Sequence, residues 1–416
     1  MSFREPPAGQ GQEQNGEALF VYGPLCHAPL RAAVLGVAAE AVPARVDGFV
    51  SGAVPGREVP GLVPVDGAGA GAVDGLMLRG LGAGAVERAM WFAEVLGAAP
   101  VTVQAEAGGL RLEATAFSCA GVSGGAWDLA RFEQALGAAW TEAAREVMAE
   151  FGKVSAEAMA RRWPTACMRA ATRLRAAGRA EGSGKTGPGI RADLTAARDV
   201  EILKPRTPYT EYFSLEDPDL RFRRFDGSWS RRVRRAGFIG GDAATVLPYD
   251  PQLDAVLLVE QFRVGPLLRG DPRPWSLEPI AGRIDPGESA EDCARREALE
   301  EAGLRLGALH RVADYYPSPG AVTEYLFSFV GIADLSGRGG EIGGEDSEEE
   351  DIRTHVVGFD RLMAAIDSAE AATGPLILTA YWLALHRERL SGWAWPERCK
   401  ARKTHRFPGG CGAGVG

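Results

Sequence analysis

The sequence has no long apolar run and no paired cysteines. No apolar stretch in the 416 residues reaches the roughly 18 residues that a transmembrane helix needs. The N-terminal segment is polar and lacks the basic start and apolar core of a signal peptide. The six cysteines, at positions 26, 119, 167, 293, 399 and 411, have the spacing of neither a zinc cluster nor a disulfide framework. These absences argue against a membrane protein and predict a protein of the reducing cytoplasm.

The negative charge is concentrated in one place. Of the formal net charge of −9, six units come from one loop, at Glu345, Asp346 and residues 348–351. The remainder of the chain is close to neutral, so its charge indicates little about partners.

A chain of this length is expected to form two domains, each with a core of its own. Apolar residues at helical spacing predict a helix over 126–152 and a second helix from Ser155 to about Ala177, interrupted at Trp163-Pro164. The segments AATVLPYD and AVLLVEQF predict two strands with Asp250-Pro251 in the turn between them.

A second acidic stretch, GRIDPGESAEDCARREALEEAGL (282–304), places seven carboxylates in twenty-three positions. Ser289, with Asp292 three residues later, is typical of a helix N-terminus. Gly303 stands where a left-handed residue ends a helix. The stretch therefore predicts a capped helix that carries most of these carboxylates.

Three glutamates of this helix share one face. Glu297, Glu300 and Glu301 are spaced i, i+3 and i+4, so their side chains project from a single stripe. Like charges at this spacing repel each other unless a positive charge lies between them. Mg²⁺, a hard cation that prefers oxygen ligands, would supply that charge, so the stripe predicts a metal site.

The spacing of the fixed residues resembles the Nudix box. Gly282 is followed after five residues by Glu288, and after seven more by REALEEAGL (296–304), which matches every fixed position of that motif. Seven fixed identities arise by chance at on the order of 10⁻⁸ per start position. The resemblance implies an α/β/α sandwich that hydrolyses a nucleoside diphosphate linked to another group.

Features outside the box are similar to those of ADP-ribose pyrophosphatases, especially the tellurite-resistance type. Pro319 lies fifteen residues past the box, and Glu324 follows it in the same loop. The segment VEQFR ends at Arg263, which matches a substrate-binding arginine. The segment GEDSEEEDIRTHVV resembles the catalytic loop of these enzymes, and in it Glu348 and Glu350 match the functional carboxylates.

A pyrophosphate repels nucleophiles, so its hydrolysis needs cations and a base that activates water. The expected metal ligands for Mg²⁺, with Mn²⁺ as the alternative ion, are the Ala281 carbonyl, Glu297, Glu300, Glu301 and Glu350. The expected catalytic residues are Glu348, Glu350 and Glu301. Arg296 is expected to orient the helix glutamates, and Glu288 to support the loop.

An arginine-rich segment, LRFRRFDGSWSRRVRR (220–235), allows two interpretations. It is either a nucleic-acid-binding patch or an edge hairpin at a subunit interface. The resemblance favours the second, because it implies a homodimer formed through the Nudix domain, whose N-terminal strands are exchanged. By the same resemblance Tyr212 stacks on adenine, and Arg235 reaches across the dimer to the substrate. Nucleic acid is therefore not an expected partner.

The N-terminal segment LFVYGPLCHAPLRAAVLG (19–36) resembles the opening of the γ-glutamylcyclotransferase-like (AIG2-like) fold. The resemblance implies a β-barrel with helices, a binding loop at Tyr22 and Gly23, and an acid/base glutamate at Glu94. The sequence departs from the family pattern at Pro24, which removes a backbone donor, and at Trp91, where an aspartate is expected. These departures predict an accessory domain with weak or no cyclotransferase activity.

The expected architecture is an α/β multidomain chain. It consists of the cyclotransferase-like barrel (1–122), a helical linker (123–190), the Nudix domain (191–392) and a disordered tail (393–416). The expected function is Mg²⁺-dependent hydrolysis of ADP-ribose to AMP and ribose 5-phosphate in the cytoplasm. The alternatives are another nucleoside diphosphate, such as a nucleotide sugar or NADH, and a regulator that binds ADP-ribose without cleaving it.

Overall fold

The computed structural model describes residues 18–55, 57–65, 71–119, 121–122, 125, 127–182, 190–211, 213–344 and 350–391. The tail predicted at 393–416 lies outside these residues. The chain forms two compact units. The first comprises Met1–Gly241, Asp285–Glu288 and Ser318–Glu324, and the second comprises Asp242–Ile284, Ser289–Pro317 and Tyr325–Gly416. Every helix in the described residues is too short or too polar to span a bilayer.

The first unit begins with a closed five-stranded barrel and a separate hairpin. The barrel order is β1-β5-β2-β6-β7, and β3 pairs with β4. The strands are β1 (Leu19–Val21), β2 (Glu40–Asp47), β3 (Phe49–Val54), β4 (Arg57–Pro64), β5 (Ala72–Arg79), β6 (Ala99–Ala107) and β7 (Leu110–Ser118). Apolar side chains of different sizes fill the barrel, among them Phe20, Val46, Met77 and Ala105. A barrel was predicted here, and the closed sheet agrees with it.

Five helices of this unit belong to the same core. They are α1 (Ala28–Leu35), α2 (Ala83–Val95), α3 (Leu129–Phe132), α4 (Ala138–Met148) and α5 (Ala156–Gly182), with a π-helical turn at Glu133–Gly137 between α3 and α4. The long periodic segment predicted at 126–152 is thus helical. Phe92 and Trp140 pack edge-to-face on Trp163, at ring distances of 5.3 and 5.0 Å. The segment predicted as a helical linker therefore packs against the barrel helices.

The predicted interruption at Trp163-Pro164 is wrong. Helix α5 continues through Pro164 without a break. A proline inside a helix removes one backbone hydrogen bond and crowds the preceding turn, at a cost of about 3 kcal/mol. The buried Trp163, packed between aromatic rings of α2 and α4, keeps the helix in place despite this cost.

The rest of the first unit is built from short strands after helix α6 (Ala196–Asp199). One sheet has the order β12-β11-β8 and the other β13-β10-β9. The strands are β8 (Val200–Lys204), β9 (Tyr209–Thr210), β10 (Ser214–Glu216), β11 (Asp219–Phe222), β12 (Val233–Arg234) and β13 (Gly237–Ile239). The arginine-rich segment thus forms the hairpin β11–β12, one of its two predicted conformations.

The second unit is a mixed sheet between helices. Its order is β18-β19-β14-β15-β21-β20, with β16 paired to β15 and β17 paired to β14. The strands are β14 (Ala243–Asp250), β15 (Ala255–Phe262), β16 (Trp275–Glu278), β17 (Ile280–Arg283), β18 (Leu309–Tyr315), β19 (Leu326–Ile332), β20 (Ile342–Gly343) and β21 (Ile352–Gly358). The two strands predicted around Asp250-Pro251 are confirmed as β14 and β15.

Helices cover both faces of this sheet. They are α7 (Val264–Arg269), α8 (Ala290–Ala302), α9 (Phe359–Asp367) and α10 (Gly374–Ser391). Side chains of β15 alternate between the faces, so Leu257 and Val259 pack with α8. Val256 and Leu258 pack with α9 and α10. The predicted α/β/α sandwich is confirmed for this unit.

The caps predicted for α8 are present. The Ser289 hydroxyl accepts a hydrogen bond of 3.1 Å from the Asp292 backbone N–H. At the other end Gly303 has φ of 57°, and Leu304 N–H donates to the Ala298 carbonyl at 2.8 Å. This pattern satisfies carbonyls that the last helical turn leaves without partners.

Gly303→Ala should lower the free energy of unfolding of the second unit by about 1–2 kcal/mol, because a side chain disfavours the left-handed conformation by that amount. The measurement is urea denaturation followed by tryptophan fluorescence. Gly265→Ala is the control, since Gly265 lies in helix α7 with φ outside the left-handed region and open space around it. The control should be neutral or stabilising. Equal effects of the two changes would contradict the assigned role of Gly303.

Candidate active site

The site is built where β17 meets helix α8. Gly282 lies so close to Glu297 that a Cβ on the glycine would overlap with the glutamate carboxylate. Only glycine fits at this position of the strand, so the glycine at the start of the motif has a steric reason. The backbone N–H of Ala281, one residue earlier, bonds to the Glu301 carboxylate. Strand β17 therefore contacts both glutamates, Glu297 through Gly282 and Glu301 through Ala281.

Arg296 binds the carboxylates of Glu297 and Glu300, as predicted. Its Nη1 donates to Glu297 Oε1 at 2.6 Å and to Glu300 Oε2 at 2.9 Å. Its Nη2 donates to the Arg283 carbonyl at 3.0 Å, which ties the guanidinium to β17. Among the described residues, no group of three or more His, Cys, Asp or Glu side chains is already arranged around a common point as metal ligands would be.

Glu301 is the buried carboxylate of the site. Glu301 is only 3% exposed, and its Oε2 has no hydrogen-bond partner within the described part of the chain. Burial, together with the nearby charges of Glu297 and Glu350, raises the pKa of Glu301 to about 9. Burial also raises the pKa of Glu297 above its ordinary value. A carboxylate in this environment needs either a proton or a cation.

Arg263 lies on the same side of the sheet. Its guanidinium forms a two-pronged pair with Glu278 of β16, at 2.7 to 3.2 Å. Burial alone would lower the pKa of Arg263, but the hydrogen bonds and charge of Glu278 raise it above its ordinary value. The charges of Glu301 and Glu350 also act on Arg263, so the three groups share one electrostatic environment. Glu278 had no sequence signal of its own and was not predicted.

The segment before the acidic loop is anchored to the end of α8. Arg338 donates to the carbonyls of Ala302 and Gly303 at 3.0 and 2.9 Å. Gly343 passes so close to the Glu301 carbonyl that a side chain there would overlap with it. These contacts bring the start of the loop beside the site, and Arg338 was missed by the sequence analysis. Glu348 lies outside the described residues.

The other residues predicted to bind substrate do not belong to the second unit. Glu324 and Arg235 lie in the first unit, and Tyr212 lies outside the described residues. Glu324 follows a loop that pairs with β13, since Thr323 N–H donates to the Phe238 carbonyl at 3.0 Å. The Arg235 side chain is exposed and donates to the carbonyl of Arg234 at 3.2 Å. Their roles in the site remain predictions.

Most guanidinium groups of the arginine-rich segment have partners within the first unit. Asp219 pairs with Arg206 at 2.6 Å and with Arg232, and these hydrogen bonds lower the pKa of Asp219 to about 2. Arg221 and Arg223 lie over the Trp229 ring, at 4.9 and 4.4 Å from its centre. Arginines engaged in this way build the hairpin, so the nucleic-acid interpretation gains no support.

The N-terminal candidate residues, Tyr22, Gly23 and Glu94, differ in burial. The Tyr22 hydroxyl is buried and donates to the Phe117 carbonyl at 2.7 Å, and burial raises the pKa of Tyr22. Gly23 has φ of 74°, and a Cβ there would lie 2.7 Å from Pro60. Glu94 is exposed on α2, and it lines a surface cavity that does not include Tyr22 or Gly23. An exposed carboxylate lacks the burial that tunes a general acid/base.

Comparisons with known proteins agree with the site in the second unit. The NUDIX domain model matches residues 241–377. The ADP-ribose pyrophosphatase of Escherichia coli K12 is 40% identical over 197 residues, which are 47% of this chain and 93% of that protein. The ADP-ribose pyrophosphatase of Haemophilus influenzae is 35% identical over 46% of this chain and 89% of its own length. The GDP-mannose pyrophosphatase of Cronobacter sakazakii is 36% identical over 36% of this chain and 78% of its own length.

The chain belongs to the Nudix family. The predicted class, a Nudix nucleoside diphosphate hydrolase, is confirmed by the matched domain and by these relatives. Enzymes of this family generally depend on a divalent metal, and the residues present fit one. Glu301 Oε2 is a buried acceptor that lacks a partner among the described residues, and the negative charges of Glu297 and Glu350 act on it, which fits a cation that prefers oxygen ligands.

Divalent-cation affinity should rise with pH between about 7 and 9, by about tenfold per unit, because a bound cation must displace the proton of Glu301. The sign follows from the raised pKa, since below it the carboxylate is protonated and cannot bind a cation. The measurement is Mg²⁺ titration by calorimetry at several pH values in buffers of different protonation enthalpy. Glu301→Gln should abolish the pH dependence, and a flat profile for the unmodified protein would contradict the assignment.

Proposed function

We propose that the protein hydrolyses ADP-ribose to AMP and ribose 5-phosphate with Mg²⁺. The observation that carries the proposal is the 40% identity to an ADP-ribose pyrophosphatase across 93% of that enzyme, together with the buried carboxylate of Glu301 in the Nudix box. Mn²⁺ is the alternative ion, because it takes the same oxygen ligands. The Ala281 carbonyl and the carboxylates of Glu297, Glu300, Glu301 and Glu350 are the proposed ligands.

The reaction breaks one phosphorus–oxygen bond of the diphosphate and adds water across it. Bound cations neutralise the phosphate oxygens and lower the charge that repels a nucleophile. Arg263, held in place by Glu278, is positioned to donate to a phosphate oxygen. Glu350 or Glu348 accepts the proton of the attacking water, and the hydroxyl oxygen of that water ends on one phosphate product. Arg296, which donates to Glu297 and Glu300, would keep these two carboxylates oriented for a bound cation.

A nucleotide sugar is the second candidate substrate. The favouring observation is the similarity to a GDP-mannose pyrophosphatase, which is 36% identical over 151 residues. A regulator that binds ADP-ribose without cleaving it is the weaker alternative. Such a protein has no need of the buried Glu301 beside Glu297 and Glu350, because uncompensated buried charge destabilises a fold.

The proposed assembly is a homodimer, and the subfamily is the tellurite-resistance type. Support for a dimer comes from the exposed apolar side chains of strand β8, Val200, Ile202 and Leu203. Exposed apolar strands tend to pair with another chain. In this assembly Tyr212 and Arg235 would contact substrate, with Glu324 in the same role. The cytoplasm is the proposed compartment, in keeping with cysteines that lack a disulfide pattern.

The proposed identity of the N-terminal barrel is a γ-glutamylcyclotransferase-like fold that serves as an accessory domain. The closed five-stranded sheet and the Tyr22-Gly23 loop support the fold. Pro24 deletes a backbone donor in that loop, and each lost donor of this kind lowers a rate by about 10²–10³. The exposed Glu94 adds a second reason to expect no efficient acid/base catalysis.

Glu301→Gln should lower the rate of ADP-ribose hydrolysis by about 10³ or more while the protein stays folded. The measurement is a panel of ADP-ribose, GDP-mannose and NADH with Mg²⁺, in which the products are identified by chromatography. Glu291→Gln is the control, because Glu291 is exposed at the start of the same helix. Turnover by Glu301→Gln within tenfold of the unmodified enzyme would refute the assigned role. Preferred cleavage of GDP-mannose would establish the second candidate.

The protein should release little or no 5-oxoproline from a panel of γ-glutamyl dipeptides, because Pro24 removes a backbone donor from the binding loop and Glu94 is exposed. The assay is direct quantification of 5-oxoproline, and the ADP-ribose assay run on the same sample confirms that the protein is intact. Robust release that Glu94→Gln abolishes would show that the chain carries two activities.

A further inference from the structure

Gln261 is a buried amide that the mechanism above does not use. It is the seventh residue of strand β15 and is only 6% exposed. Its Nε2 has no hydrogen-bond partner in any described residue. A buried donor without a partner costs about 1–3 kcal/mol, so such groups in native proteins usually serve a ligand or a mechanism.

The register of the sheet places Gln261 on the side that carries the active site. Gln261 lies opposite Ile352 of β21, and directly opposed residues direct their side chains to the same face. Ile352 belongs to the core cluster that packs against α8. Val259, two residues earlier on the same strand, belongs to that cluster as well. The amide therefore lies on the α8 face of the sheet.

Its neighbours on this face are functional groups. Arg263 is two residues further along the chain, just past the end of β15, and about 7 Å away at the Cα atoms. Its backbone is still extended, which keeps it on the same face. Its partner Glu278 comes from the adjacent strand β16, where it stands opposite Val259. Ile352, opposite Gln261, is two residues after Glu350 and also pairs with Gly343. Gln261 is thus surrounded along the sheet by the arginine pair and by both ends of the acidic loop.

We propose that Gln261 donates a hydrogen bond to a non-bridging phosphate oxygen of the bound nucleoside diphosphate, as a substrate-binding residue beside Arg263. The inference rests on the proposed function. The donor requires an acceptor, and a phosphate oxygen is a charged acceptor that the substrate brings to this face. The other buried unpartnered atom of the site among the described residues, Glu301 Oε2, is an acceptor that a cation would satisfy. Donor and cation together match an anionic oxygen placed between them.

The test uses the full-length protein and α,β-methylene ADP-ribose, which keeps the non-bridging phosphate oxygens but lacks the bridging oxygen. Gln261→Met keeps the volume and removes the donor. It should weaken binding of the analogue, measured by calorimetry with Mg²⁺, by about tenfold or more. Its melting temperature should be unchanged or higher, because the change removes an unsatisfied buried donor. Gln261→Glu should weaken binding further, since a negative charge then faces the phosphate.

Gln252→Met is the matched control, because Gln252 is exposed in the turn at the opposite end of the same strand. It should bind the analogue and hydrolyse ADP-ribose like the unmodified protein. Binding by Gln261→Met within twofold of normal would overturn the proposal. A loss of melting temperature that accompanies lost binding would overturn it too, as would a loss confined to kcat. Failure of the unmodified protein to hydrolyse ADP-ribose would instead refute the proposed function.

Discussion

The repulsion between Glu301, Glu297 and Glu350 is the constraint on which the second unit depends. The three carboxylates are brought together on the buried side of α8, where burial strengthens the interaction between charges. The fold compensates with two arginines. Arg296 binds Glu297 and Glu300 from the helix itself, and the charge of Glu301 and Glu350 acts on Arg263, which follows β15 and pairs with Glu278. The site is therefore organised to accept additional positive charge.

The backbone around these charges is shaped by close approach. Gly282 and Gly343 each pass a glutamate of α8 at a distance that leaves no room for a side chain. Glu297 is thereby packed on β17, and the carbonyl of Glu301 is packed on the segment that leads into the acidic loop. Arg338 completes the arrangement by bonding to the last carbonyls of the helix. The segment that leads into the acidic loop is thus packed directly on the helix that carries the carboxylates.

The first unit is a different kind of structure, because its candidate residues are used for packing. The Tyr22 hydroxyl donates a hydrogen bond to a backbone carbonyl, and most arginines of the 220–235 hairpin contact carboxylates or Trp229. The helices between the barrel and this hairpin share an aromatic core with α1 and α2. Resemblance in the sequence pointed to chemistry here, whereas the side-chain contacts point to structural roles.

The sequence alone determined the features that depend on local spacing. The caps of α8, its three glutamates, the strands β14 and β15 and the membership of the Nudix family follow from residues close together in the chain. The break predicted at Pro164 from the local sequence was wrong, because the continuity of α5 depends on packing with the distant Phe92 and Trp140.

Only the tertiary structure decided which groups meet. Glu278 and Arg338 carry no motif, and the segment VEQFR pointed to Arg263 rather than to Gln261. The place of Glu278, Arg338 and Gln261 at the site follows from strand register and from loop packing across many residues. Burial is likewise a property of the assembled fold. It separates Glu301, whose carboxylate is closed off from water, from the exposed Glu94, although both are glutamates on helices, because the free energy of a charge depends on the surroundings that the whole chain creates.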